Sequence, residues 1–314
     1  MTLLHKDLLG MQQLTKEEIE SILKTAANMK KVLRSGNKKT AYLQGKTVIT
    51  LFYENSTRTR MSFELAGKYL GAQTANISTT GSSVNKGESL CDTAVTLDHM
   101  AADMIVMRHR VAGAPHFLGP HLDASIVNAG DGMNEHPTQA LLDMLTMQEH
   151  FGGFEGLEVA IIGDLSHSRV VRSNIWGLLK LGAKVRVYGP ATLTPPDLAK
   201  SGAVICHSLE EALTDADVVM GLRLQLERQR RGLFPSINEY SQYYGLTEER
   251  MQLAKKDAIV MHPGPINRGA EISGTLADSP RSVIPDQVTS GVAVRMAVLY
   301  LLNLYRNKHR LGLG

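Results

Sequence analysis

Short apolar runs of strand length alternate with helical patterns along the whole of this 314-residue chain. This alternation is typical of a parallel β-sheet covered by helices, so it predicts an α/β fold. Because one hydrophobic core rarely organises more than about 250–300 residues, we expect two doubly wound parallel-sheet domains with the active site in the cleft between them. The predicted strands are 47–54, 104–109 and 125–131 in the first half, and 157–164, 184–190, 203–209, 217–223 and 258–264 in the second.

A predicted helix separates the two sets of strands. It starts at HPTQ, with Pro137 in the first turn, and stops before Gly152. Proline is favoured at the start of a helix and glycine just after its end. The pattern therefore predicts a first domain of residues 1–150 and a second of residues 151–290, with a C-terminal helix 291–308 packing back on the first.

Charge and cysteine content exclude several classes of protein. The 34 basic and 31 acidic residues give a net charge of +3, far from the basic excess of a nucleic-acid binder. Cys91 and Cys206 lack CxxC spacing, so neither a disulfide framework nor a zinc cluster is expected. We identify no export signal and no apolar run of about 18 residues, which predicts a cytoplasmic chain that does not interact with membranes.

Most predicted strands run directly into polar residues capable of catalysis. Ligands of open α/β sheets bind outside the carboxyl ends of the strands, so these segments are expected to converge on one crevice. The segments are NSTRTR, Arg108-His109, GMNEHPTQ, LSHSR, Arg223 and HPGPINRG.

The first of these segments has the composition of a phosphate site. Ser56, Thr57, Arg58 and Thr59 open a predicted helix, where backbone N–H groups, hydroxyls and a guanidinium favour an anion. A plain N-cap with solvated arginines is the alternative interpretation.

A histidine and three arginines are further candidates. His136 and Gln139 are spaced to share one side of a helix, where a neutral histidine near the N-terminus can donate to a carbonyl oxygen. A capping histidine is equally compatible with the pattern. Arg108, Arg169 and Arg223 each stand at or after the end of a predicted strand, where an arginine binds an anion or forms a structural ion pair. Two arginines in the second half suggest a dicarboxylate co-substrate.

The motifs together resemble the aspartate branch of the carbamoyltransferase family over essentially the whole chain. In order, they are FYENSTRTRMSFE, VNKGESLCDT, IVMRH, NAGDGMNEHPTQALLD, GDLSHSRVVRSN, LRLQLER and MHPGPINRGAEI. The resemblance implies transfer of the carbamoyl group from carbamoyl phosphate to the amino group of L-aspartate. The products would be N-carbamoyl-L-aspartate and phosphate, in an early step of de novo pyrimidine biosynthesis.

Residue roles are also implied by the resemblance. The first half would supply the residues that bind carbamoyl phosphate, of which Arg58, Thr59, Arg108 and His136 would be catalytic: Ser56, Thr57, Arg58, Thr59, Arg108, His136 and Gln139. The backbone carbonyls of Gly264 and Pro265 would also accept from the carbamoyl NH₂. Arg169, Arg223 and Gln225 would bind aspartate. Ser82 and Lys86 resemble residues that a neighbouring subunit of a homotrimer lends to the site, with Lys86 contacting aspartate.

The resemblance implies no metal and no organic cofactor, and it leaves open regulatory or dihydroorotase partner chains. Ornithine carbamoyltransferases typically carry an HCLP motif, whereas this chain has His262-Pro263-Gly264-Pro265, which favours aspartate. One rival is a dinucleotide-dependent dehydrogenase, because VAIIGDLSHSR resembles the start of a Rossmann unit, but GxGxxG is missing. The others are a non-enzymatic scaffold subunit and a sister carbamoyltransferase that acts on another amine.

Overall fold

The computed structural model describes residues 3–78, 87–225 and 236–310. The chain divides into two compact units: unit 1 is Met1–Leu145 with Thr289–Gly314, and unit 2 is Thr146–Val288. Each unit contains one fully parallel sheet accompanied by helices. The predicted fold class, two parallel-sheet α/β domains, is confirmed.

The sheet of unit 1 has four strands in the order β2-β1-β3-β4. The strands are β1 (Thr47–Phe52), β2 (Gln73–Ser78), β3 (Met104–His109) and β4 (Ser125–Asp131). The helices that begin in this unit ahead of its C-terminal segment are α1 (Lys16–Arg34), α2 (Thr57–Tyr69), α3 (Leu90–His99), α4 (Ala114–Leu118) and α5 (Pro137–Phe151). Strand β2 was not predicted from the sequence.

Local sequence explains where α1 begins. Thr15 accepts from the Glu18 N–H at 3.2 Å, and the Glu18 carboxylate accepts from the Thr15 N–H at 3.0 Å, which forms a capping box. The helix then buries one apolar face that includes Ile19, Ile22 and Leu23.

The sheet of unit 2 has five strands in the order β7-β6-β5-β8-β9. They are β5 (Glu158–Ile162), β6 (Lys184–Tyr188), β7 (Val204–Ile205), β8 (Val218–Gly221) and β9 (Ile259–Met261). The prediction of a strand over 203–209 was too long, because only two residues pair with β6. The helices are α6 (Arg169–Lys180), α7 (Leu209–Leu213), α8 (Ile237–Tyr244) and α9 (Gly274–Ala277).

The last helix, α10 (Ile284–Arg310), begins about two turns before the predicted start at 291. Pro285 at its second position suits the first helical turn. Its segment Ile284–His309 is long and apolar enough to cross a membrane, judged by length and composition alone. However, 67% of its apolar window is buried within the protein, as in the core helix of a globular fold.

Candidate active site

The order of the strands places the candidate residues of unit 1 along one edge of the sheet, the edge formed by the carboxyl ends of its strands. Strands β1, β3 and β4 are neighbours and run parallel, so their carboxyl ends point the same way. The loop that leads into α2, the Arg108 side chain and the turn that leads into α5 therefore all follow that edge. This is the edge at which parallel α/β sheets bind ligands.

The segment after β1 opens α2 as predicted. Ser56 takes the N-cap position with extended backbone angles, but its hydroxyl makes no capping hydrogen bond. Thr57 and Arg58 are exposed, whereas Thr59 is 7% exposed. The first-turn N–H groups of a helix have no partner within the helix, so this end offers donors to an anion. Ser56 at the N-cap and an exposed Arg58 also agree with the alternative interpretation, a plain N-cap with solvated arginines, so the phosphate site stays a prediction.

Arg108 forms an ion pair that the sequence did not reveal. Its Nη2 lies 2.7 Å from Glu54 Oε1, and its Nη1 donates to the Ala129 carbonyl oxygen at 3.3 Å. The side chain is 11% exposed. Glu54 comes directly before residues 55–60, the segment predicted to bind phosphate and here called the phosphate-type loop. The ion pair therefore holds the Arg108 guanidinium beside that loop. The two roles that the sequence left open for this arginine, ion pair and anion ligand, are thus compatible in space.

The turn between β4 and α5 is fixed by Asp131. Its carboxylate, which is fully buried, accepts from the Gly113 N–H at 2.7 Å, the Asn128 side chain at 2.8 Å, the Asn134 side chain at 3.0 Å and the Glu135 N–H at 3.1 Å. A carboxylate that accepts this many bonds resists movement of the backbone around it. His136, which follows Glu135 in this turn, is therefore held in place by a rigid backbone.

His136 and Gln139 lie in the first turn of α5 and its approach. His136 is 4% exposed, and its carbonyl oxygen accepts from the Gln139 N–H at 3.0 Å. The Gln139 side-chain amide donates to Asp143 Oδ1 at 2.9 Å. Asp143 is fully buried one helical turn further on. This bond fixes the orientation of the glutamine amide.

In unit 2 a side-chain hydrogen bond connects the loop after β5 with the loop after β8. These strands are adjacent and parallel. The Gln225 side chain donates to the His167 carbonyl oxygen at 3.1 Å, and His167 Nδ1 lies 2.9 Å from the buried Asp164 carboxylate. Arg169 is the first residue of α6 and is 5% exposed, whereas Arg223 is half-buried after β8. Gln225 thus ties the segment that carries Arg223 to the loop that leads to Arg169.

The loop after β9 is held by His262. Its Nδ1 accepts from the Gly264 N–H at 2.8 Å, and its Nε2 lies 3.3 Å from Glu271 Oε1. A ring nitrogen that accepts carries no proton, so a neutral His262 carries its proton on Nε2. Among the described residues Nε2 makes no hydrogen bond, and Glu271 is its charged neighbour. Glu271 Oε1 also accepts from the Asn267 N–H at 2.6 Å. The peptide bond between Gly264 and Pro265 is cis.

The structure therefore groups the predicted residues by unit. Ser56, Thr57, Arg58, Thr59, Arg108, His136 and Gln139 follow the sheet edge of unit 1, and Arg169, Arg223, Gln225, Gly264 and Pro265 follow that of unit 2. Ser82 and Lys86 lie outside the described residues. Sequence reasoning missed the partners Glu54 and Asp143. The only sequence signals for them are a carboxylate just before the loop and one four residues after Gln139.

Comparison with known proteins agrees with this grouping. Residues 6–149 match the family model described as "Aspartate/ornithine carbamoyltransferase, carbamoyl-P binding domain", and residues 155–302 match its "Asp/Orn binding domain". The aspartate carbamoyltransferase catalytic subunit of Ruminiclostridium cellulolyticum is 62% identical over 302 residues, which cover 96% of each chain.

Solved structures show the same fold. The aspartate transcarbamoylase of Trypanosoma cruzi in complex with carbamoyl phosphate and aspartate has a TM-score of 0.84 at 34% identity, and the match covers 94% of this chain and 95% of that one. The ornithine carbamoyltransferase of Thermus thermophilus has a TM-score of 0.85 at 28% identity, covering 95% and 99%. Both family models and the near-complete sequence match agree, so the chain belongs to the aspartate/ornithine carbamoyltransferase family.

Proposed function

We propose that this chain is an aspartate carbamoyltransferase, which transfers the carbamoyl group of carbamoyl phosphate to L-aspartate and releases N-carbamoyl-L-aspartate and phosphate. This reaction is an early step of de novo pyrimidine biosynthesis. The observation that carries the proposal is that hydroxyl, guanidinium and imidazole side chains follow the carboxyl ends of the strands of unit 1, in a chain that is 62% identical to a relative named for this activity.

Unit 1 supplies the groups for carbamoyl phosphate. Ser56, Thr57, Arg58 and Thr59 bind the phosphate at the start of α2, where donors and a guanidinium favour a dianion. A second set completes the site by contacting the phosphate and the carbamoyl oxygen: Arg108, His136 and Gln139. From unit 2, the carbonyls of Gly264 and Pro265 accept from the carbamoyl NH₂.

The chemistry needs alignment more than a reactive side chain. Phosphate is a good leaving group, so the protein aligns the amine with the carbonyl carbon and stabilises the developing oxyanion. Thr59, Arg108 and His136 donate to that oxygen. The amine attacks in its unprotonated form, and the departing phosphate accepts its proton. No covalent nucleophile is required, so neither Cys91 nor Cys206 takes part.

Unit 2 supplies the groups for aspartate. Arg169 and Arg223 pair with the two carboxylates, and Gln225, which donates to the loop before α6, supports them. We assign Ser82 and Lys86 to the site of a neighbouring subunit in a homotrimer. We further propose that the enzyme is cytoplasmic, that residues 1–150 form the carbamoyl-phosphate domain and that residues 151–290 form the aspartate domain.

A carbamoylation assay with a matched pair of arginine variants tests the function. Purified chain is supplied with carbamoyl phosphate and either L-aspartate or L-ornithine. We expect carbamoyl-aspartate, and we expect Arg58→Ala to lose about a hundredfold or more in kcat, as for removal of an oxyanion or phosphate donor. Arg60→Ala, in the same loop, is the control and is expected to stay near wild type.

Each alternative outcome has a defined meaning. Turnover of ornithine alone contradicts the assignment of the unit 2 residues. Turnover of neither amino acid by a folded chain favours the scaffold interpretation. If Arg60→Ala is as inactive as Arg58→Ala, the loop as a whole matters and Arg58 has no special role.

Mixing two inactive variants tests the shared site. Arg58→Ala and Lys86→Ala chains are dissociated, combined in equal amounts and allowed to reassemble. If Lys86 serves a neighbouring subunit, roughly a quarter of the interfaces regain both intact residues, and activity returns. If Lys86 serves its own chain, each site keeps one defect and the mixture stays inactive.

A further inference from the structure

A buried arginine outside the predicted site lies between the helices that carry the phosphate residues. Arg295 is on α10 and is 4% exposed. Its guanidinium carbon lies 5.1 Å from the ring centroid of Phe63, a fully buried residue of α2. Cations are attracted to the face of an aromatic ring at this distance. The charge is therefore packed against the helix whose first turn carries Thr57, Arg58 and Thr59.

Helix α5 approaches the same guanidinium from another side. Arg295 Nη1 donates to the Gly291 carbonyl oxygen at 2.9 Å. A Cβ at Gly291 would lie 2.7 Å from that Nη1 and 3.2 Å from Leu142 of α5. The missing side chain thus makes room for the guanidinium beside α5, the helix that begins after His136.

Few polar groups compensate this buried charge. Within the described part of the chain, Arg295 Nε is buried without a hydrogen-bond partner. Burial, and then the charges of Arg108 and Arg58, lower the pKa of Arg295 to about 9, while Asp143 acts in the opposite direction. Arg295 is therefore charged at neutral pH. It is coupled electrostatically to Arg108 and Arg58, which disfavour its charge, and to Asp143, which favours it, while Arg108 is itself paired with Glu54. Such a cluster is costly to hold together and is stabilised by an added anion.

We propose that Arg295 is a positioning residue of the phosphate site, whose buried charge, held between α2 and α5, strengthens the binding of the phosphate dianion without touching it. The inference rests on the proposed function, because the phosphate of carbamoyl phosphate is the anion concerned. Electrostatic attraction between buried groups persists over several ångströms because little water screens it. Arg295 also connects α2 with α5, so its charge acts on both groups of substrate-binding residues.

Titration of inorganic phosphate into the full chain, followed by calorimetry, tests this inference without any turnover. Arg295→Met removes the charge and keeps most of the volume, Arg295→Lys keeps the charge, and Lys308→Met removes an exposed charge from the same helix. We expect phosphate affinity to fall about tenfold or more in Arg295→Met. We expect it to stay within about threefold of wild type in Arg295→Lys, and to be unchanged in Lys308→Met.

Asp143→Asn provides a test of opposite sign. Loss of the opposing carboxylate leaves the cationic cluster less compensated, so phosphate should bind about threefold or more tightly. This variant decides the matter if Arg295→Met does not fold, as urea denaturation would show. Wild-type affinity in folded Arg295→Met, an equal loss in Arg295→Lys, or no tightening in Asp143→Asn would each overturn the proposal. Charge-dependent phosphate binding by a chain that does not carbamoylate aspartate would refute the proposed function and leave this inference standing.

Discussion

His262 offers a test of how the loop after β9 is held. The ring is 1% exposed and has two polar neighbours: the Gly264 N–H, which donates to Nδ1 at 2.8 Å, and Glu271 Oε1, which lies 3.3 Å from Nε2 without a hydrogen bond. His262→Asn places an amide oxygen near the Nδ1 position and loses the group that faces Glu271. His262→Gln extends an amide towards Glu271 and loses the acceptor for Gly264. The two variants therefore remove the two contacts one at a time.

The structure gives different expectations for activity and for stability. A buried backbone N–H left without its acceptor costs about 1–2 kcal/mol, which corresponds to a factor of about 5–30 in an equilibrium or rate constant. In His262→Gln this cost falls on the loop that carries the Gly264 and Pro265 backbone carbonyls. We expect kcat/KM for carbamoyl phosphate to fall by that factor in His262→Gln and by less than about threefold in His262→Asn. His262→Asn, which removes more buried volume, should lose more free energy of unfolding, about 2–3 kcal/mol.

Steady-state assays at saturating aspartate and urea denaturation of the same preparations measure the two quantities. We expect the two variants to rank in opposite order: His262→Gln is the worse enzyme, and His262→Asn is the less stable protein. If His262→Asn is worse by both measures, packing alone explains the residue. If His262→Gln keeps wild-type kcat/KM, the bond from the Gly264 N–H does not position the loop.

The remaining predictions concern a thiol and a close backbone contact. Burial raises the pKa of the Cys206 thiol to about 11, so its thiolate is scarce near pH 8. In a Cys91→Ser background, alkylation of Cys206 should rise about tenfold per pH unit until the pH nears that pKa. Alkylation that levels off near pH 9 would contradict this assignment. A Cβ at Gly189 would lie 2.1 Å from the Gly163 carbonyl oxygen, so Gly189→Ala should cost about 1–3 kcal/mol or more in urea denaturation. Gly153→Ala, whose Cβ meets nothing within 4 Å, is the control and should leave the midpoint almost unchanged.

The fold was predictable because most of its strands are buried on both faces. Strand β3 begins with the apolar run MIVM and β4 contains the apolar pair Ile126-Val127, and most residues of both strands are buried in the structure. The strand that escaped prediction, β2, pairs only with β1 and has the polar sequence QTANIS. Several of its residues are exposed or half-buried, so its sequence lacks the apolar run by which the other strands were recognised. Hydrophobic pattern thus identifies buried strands better than exposed ones.

The positions of the candidate site residues in the fold were predictable to a different extent. Residues that end a strand or open a helix, such as Arg58 and Arg108, can be located from the pattern because the backbone alone brings them to one edge. Their partners could not be located in this way. Glu54 and Asp143 are carboxylates among many, and only side-chain geometry selects them for Arg108 and Gln139. Arg295, in an apolar helix remote in sequence from the phosphate-type loop, carries no local signal at all.

The choice of amino acid illustrates what backbone similarity leaves undecided. The TM-scores to an aspartate and to an ornithine carbamoyltransferase are 0.84 and 0.85, so the fold does not separate the two activities.

The charge of the two amino acids does separate them. Ornithine carries a side-chain ammonium, whereas aspartate carries a second carboxylate. Two unit charges 4 Å apart interact by about 1 kcal/mol in water and about 4 kcal/mol near a protein surface. If Arg169 and Arg223 both face the amino acid, the second arginine attracts the aspartate side chain and repels that of ornithine. Under the proposed assignment of Arg169 and Arg223, the preference for aspartate depends on the charge of a few side chains in unit 2.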